Sequence, residues 1–166
     1  MRRTIGIAIL VSTLSIAVPA SAVSQVDPDD VPGRLDIHRV TRTFTDGPAA
    51  PPMVHMQAAT YDRWTARQCR RADACSFTFA FDTRKGPATD VIAVWDVDPT
   101  GPSCVVFGAR THRKLGDGVA AKDRRSGFCS FRKRLLGVER AVRWRVRSLW
   151  GVIDDAAPDA GWFGGP

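Results

Sequence analysis

Along most of this chain apolar and polar residues alternate, and the pattern predicts short strands separated by glycine and proline turns. Phe77, Phe79 and Phe81 alternate with Thr78, Ala80 and Asp82, which puts three aromatic rings on one face of a strand. Further on, Val142, Trp144 and Val146 alternate with Arg143, Arg145 and Arg147, the signature of a strand with one dry face and one wet face. Between them, residues 91–97 form a near-continuous apolar run holding Trp95, and Asp98-Pro99-Thr100-Gly101-Pro102 breaks it. Residues 104–110 and 128–132 read as further strands. Residues 35–44 alternate less regularly, but their β-branched content predicts a first strand, and 53–61 is a fainter candidate. Single helical turns fit within 62–71 and 132–137. The expected fold is all-β: a disulfide-bonded antiparallel β-sandwich of about seven or eight short strands, jelly-roll or immunoglobulin-like in type.

The pattern changes at both ends. Met1-Arg2-Arg3, an apolar run over 5–18 and the small-residue triplet Ala20-Ser21-Ala22 read as a secretory signal peptide over residues 1–22. Gly6, Ser12, Thr13 and Ser15 interrupt the run, which falls short of the roughly 20 apolar residues of a spanning helix. Val23 rather than cysteine follows the cleavage site, so a lipoprotein-type anchor has no attachment point. Residues 23–33, with Asp27-Pro28-Asp29-Asp30 and Pro32-Gly33, read as an exposed lead-in, 34–153 as the sandwich domain, and 154–166 as a loop-like tail. The expectation is a secreted monomer with no transmembrane anchor after cleavage.

Export changes the meaning of the cysteines. Cys69, Cys75, Cys104 and Cys129 are an even set, and in an oxidising compartment they read as disulfides. Of the three pairings, Cys69 with Cys75 and Cys104 with Cys129 are favoured. Neither pair has zinc-site spacing. The net charge of +7 falls to +5 once Arg2 and Arg3 are removed, enough to favour acidic surfaces. Nucleic acid is not expected as a partner of an exported chain.

Candidate chemistry is sparse. Arg143, Arg145 and Arg147 could offer a basic stripe, extended by Arg132, Lys133 and Arg134, to a cell-wall glycan or another acidic polymer. Trp64, Trp150 and Trp162 fall at element ends and are the candidate sugar-stacking platforms, whereas Trp95 and Trp144 belong to apolar faces. Asp27, Asp29, Asp30, Asp82 and Asp90 supply the hard oxygens that calcium takes. The loop from Asp82 to Asp90 carries Arg84 and Lys85 in its interior, which argues against an ion there, and no cofactor is expected. His38, His55 and His112 are scattered, Glu139 is the single glutamate, and no nucleophile-elbow or zinc-protease motif occurs.

Four segments carry a resemblance: Asp27-Pro28-Asp29-Asp30-Val31-Pro32-Gly33-Arg34-Leu35-Asp36-Ile37, Thr60-Tyr61-Asp62-Arg63-Trp64, Phe81-Asp82-Thr83-Arg84 and Ala157-Pro158-Asp159-Ala160-Gly161. In these the chain resembles a group of exported, uncharacterised actinobacterial proteins, and the resemblance implies a small β-sandwich without an assigned activity. Similar sequences often carry further acids after Phe-Asp-Thr, in the manner of calcium-stabilised sugar-binding sandwiches, where this chain has Arg84 and Lys85. The function expected is a non-catalytic binding or envelope-associated module. The alternatives are an Asp-based carbohydrate-active hydrolase and a secreted protein inhibitor presenting the Cys69–Cys75 loop.

Overall fold

A computed structural model describes residues 21–47, 50–84, 89–137 and 142–164. Glu139 and most of the expected signal peptide lie outside the described residues. The strands, in chain order, are β1 (Ser21–Val26), β2 (Ile37–Gly47), β3 (Ala50–Thr60), β4 (Cys75–Asp82), β5 (Val91–Asp98), β6 (Gly101–Gly108), β7 (Lys114–Asp117), β8 (Val119–Lys122), β9 (Ser126–Arg132), β10 (Arg143–Trp150) and β11 (Ile153–Ala157). They form two antiparallel sheets, one ordered β1-β2-β3-β9-β8 and the other β11-β10-β4-β5-β6-β7. The helical turns appear where expected. One is α1 (Ala66–Cys69), begun by a capping box in which Thr65 and Gln68 satisfy each other's backbone N–H, and the other is a 3-10 turn at Lys133–Leu136.

The core follows from the alternation. On β4 the inward rings of Phe77, Phe79 and Phe81 stand opposite Trp95, Ala93 and Val91 of β5, and Phe79 and Phe81 stand opposite Val146 and Trp144 of β10. Val40, Val54, Met56, Ala58 and Phe131 face them from the other sheet, with Phe81 meeting Phe131 edge to face at 5.8 Å. Each such ring stabilises the fold by roughly 1.5–3 kcal/mol through removal from water. A register shift between Ile37 and Arg39 explains the irregular pattern of β2, because the bulge lets both Ile37 and Val40 point inward. Cys104 on β6 is bonded to Cys129 on β9, across the two sheets, with Cα atoms 5.5 Å apart. Cys69–Cys75 closes α1 onto the start of β4.

Two boundaries differ from expectation. The exposed lead-in is partly a strand: β1 pairs with β2 from Ser21 opposite Phe44 to Val26 opposite Arg39, and Asp27 is buried. An edge strand of two valines among polar residues carries little pattern of its own, and its partner supplies the order. The tail is likewise not all loop. Gly151 and Val152 make a two-residue turn, with Gly151 at φ +61°, and Ile153–Ala157 returns along β10 as β11. Asp154 and Asp155 disguise that strand because aspartate is depleted in sheets. Further on, Phe163 exchanges both backbone hydrogen bonds with Trp144.

Candidate functional site

Two features stand out, a basic cleft and a buried acidic cluster. The cleft, of about 760 Å³, is assembled from turns that meet at one end of the sandwich. Arg84 comes from the turn after β4, Arg110 from the turn after β6 and Arg134 from the 3-10 turn, around a floor that includes Val91, Leu115, Leu135 and Leu136. Among the described residues, Asp90 is the one acid lining it. Its Oδ2 accepts from the backbone N–H groups of Thr83 and Arg84 at 3.1 and 3.2 Å, and its Oδ1 lies 3.8 Å from both Arg84 and Arg110. Asp90 therefore organises the turn that carries Arg84. Arg134 pairs with no acid among the described residues, so the described lining carries a net positive charge.

The acidic cluster lies at the opposite flank, where the segment from β1 to β2 meets β11. Asp27, Asp36 and Asp155 are buried, at 3 %, 4 % and 5 % exposure, and Asp30 and Asp159 are exposed beside them. Local hydrogen bonds fix the arrangement. Asp27 N–H donates to the His38 carbonyl at 3.0 Å, the Tyr61 hydroxyl donates to the Asp27 carbonyl at 2.6 Å, and Ile37 N–H donates to Asp155 Oδ2 at 2.7 Å. Asp27 Oδ2 and Asp36 Oδ1 have no hydrogen-bond partner among the described residues. No cationic side chain pairs with these acids among the described residues. Burial first, then the charges of Asp155 and Asp159, pushes the Asp27 carboxyl up to about 7. Burial, aided by Asp29, also raises Asp36, and burial raises Asp155 against the pull of the two N–H groups it accepts.

The residues singled out in the sequence divide between these features and neither. Asp27, Asp29 and Asp30 belong to the acidic cluster or its border, whereas Asp82 and Asp90 do not join it: Asp82 is ion-paired with Arg143 and Asp90 serves the cleft. Arg147 is ion-paired with Asp154, and Arg145 lies 4.8 Å over the Trp162 ring, so acids or aromatic stacking engage the whole Arg143-Arg145-Arg147 row. Trp64 is corrected from platform to core: it is 2 % exposed, edge-on to Trp95 at 5.4 Å, with Lys122 Nζ 3.9 Å above its ring. Trp150 and Trp162 are half-buried. His55 is bonded to Thr45 and Ser130, and Lys133 to Asp46.

Arg84, Arg110, Asp36, Asp155 and Asp159 were not legible as site residues. The only local signal was Asp36 just before a strand and Asp154-Asp155 inside a strand, where a carboxylate is costly unless something answers it. A search among protein families, curated proteins and solved structures finds no match for this chain.

Proposed function

We propose that the chain is an exported, non-catalytic binding module that holds an acidic glycan or another anionic polymer of the cell envelope in the arginine-rimmed cleft. The observation that carries this reading is the convergence of Arg84, Arg110 and Arg134 from three separate turns on one apolar floor. Guanidinium forks suit carboxylate, sulfate or phosphate groups, and an apolar floor suits a sugar face. Two disulfides fit an oxidising compartment, and no helix among the described residues is long and apolar enough to cross a membrane. The resemblance to exported actinobacterial proteins is in keeping with this.

Elution from immobilised heparin along a salt gradient tests the reading. Replacing Arg84, Arg110 and Arg134 together by alanine is expected to bring elution to clearly lower salt than replacing the exposed Arg67, Arg70 and Arg71, which removes the same charge elsewhere. Equal shifts for the two triple variants would remove the cleft from the interaction. Incubation with a bound glycan should leave its chain length unchanged; shortening would favour the Asp-based hydrolase instead.

A further inference from the structure

The acidic cluster has the composition of a site built for a positive ion, and no cationic side chain among the described residues pairs with it. Two sets of carboxylates share Asp155: Asp27, Asp155 and Asp159 in one, and Asp30, Asp36 and Asp155 in the other. Within each set one oxygen per residue lies within 4.8 Å of the others. Calcium–oxygen distances are about 2.3–2.6 Å, so two ligands on opposite sides of one ion are about 5 Å apart, and each set fits inside a single coordination sphere.

The second observation is independent of the clustering. Asp27 Oδ2 and Asp36 Oδ1 belong to residues more than nine-tenths buried and accept no hydrogen bond from the described residues. Buried polar atoms are ordinarily partnered, and a buried carboxylate oxygen without a donor is costly unless a charge meets it. Each set contains one of these two residues.

We propose that Asp27, Asp36 and Asp155, completed by Asp30 and Asp159, bind a hard divalent cation, calcium in the first place, that joins the start of β2 in one sheet to β11 in the other. All the ligands are carboxylate oxygens, which suit calcium and exclude the softer metals that favour thiolate or imidazole. The cation bridges segments that already touch through Ile37 N–H to Asp155 and through the Ser148 hydroxyl donating to the Leu35 carbonyl at 2.6 Å. The site is distinct from the arginine cleft and does not depend on it.

Terbium luminescence tests this on the unmodified chain, because Tyr61, the single tyrosine, donates its hydroxyl to the Asp27 backbone carbonyl and lies close enough to sensitise a bound lanthanide. After chelator treatment and dialysis, excitation of aromatic groups should give saturable terbium emission that calcium displaces, and calcium alone should raise the melting temperature by several degrees. Asp27→Asn and Asp36→Asn should each lose the emission and the calcium-dependent rise. Their calcium-free melting temperature should equal or exceed that of the parent, since each removes an unanswered buried charge. Asp117→Asn, at an exposed ion pair with Lys114, should behave as the parent. Absence of saturable terbium emission and of any calcium effect on the parent overturns the proposal, as does calcium binding undiminished in both asparagine variants. Displacement by magnesium at concentrations as low as calcium would overturn the choice of calcium.

Discussion

Trp64 shows how far a residue's setting can depart from its neighbourhood in sequence. It follows Tyr61-Asp62-Arg63, an exposed-looking stretch, yet its ring is sandwiched between Lys122 and the Phe77–Trp95 pair, with Nε1 donating to Thr60 at 3.2 Å. Trp64→Ala is expected to cost about 3–5 kcal/mol, read as a lower denaturant midpoint with an unchanged slope. Gly127 is the complementary case. A methyl group there would stand 2.8 Å from the Phe77 ring and 3.0 Å from Trp95, so Gly127→Ala should cost about 1–3 kcal/mol by the same measurement. Neither position announces itself in the sequence, because both are defined by residues many positions away. The same holds for the acidic cluster. Asp27, Asp29 and Asp30 were visible as candidate oxygen donors, but Asp155 enters only once β11 brings it across the sandwich.

At the scale of elements, legibility tracked the strength of the local pattern. β4 and β10 carry clean period-two alternation and are interior strands of their sheet, each with a neighbour on both sides to reinforce the register. β1 and β11 are edge strands with polar or acidic sequences, and pairing defines them more than pattern does. The cleft was invisible for a related reason: turns that are far apart in sequence supply its arginines, and only the packing of strand ends makes them neighbours. The covalent tie between β6 and β9 was read from cysteine parity and export, and its stabilising role follows from its loop of 25 residues. Replacing Cys104 and Cys129 together by alanine should cost about 3 kcal/mol, measured as a fall in denaturant midpoint relative to the oxidised parent.

For the whole molecule, the buried acids set a pH dependence opposite to the usual acid denaturation. Asp27 is held near 7 in the folded chain against an ordinary carboxyl value of 3.8, and Asp36 and Asp155 are displaced the same way. The folded state therefore binds protons more tightly than the unfolded state. The resulting stabilisation is complete below about 4 and is lost as pH rises through 7. In excess chelator the melting temperature should rise between pH 8 and pH 5, and a fall over that interval would contradict the assignment. The two flanks of the sandwich are thus fastened by different means. The cystine between β6 and β9 acts as the spine of a book, permanent once formed, while the carboxylates between β2 and β11 are its clasp, which like charges force and a proton or cation fastens. In alkaline chelator a protease should accordingly cut faster within 27–36 and 151–159 than it does with calcium present, while the Cys104–Cys129 bond keeps β6 and β9 joined.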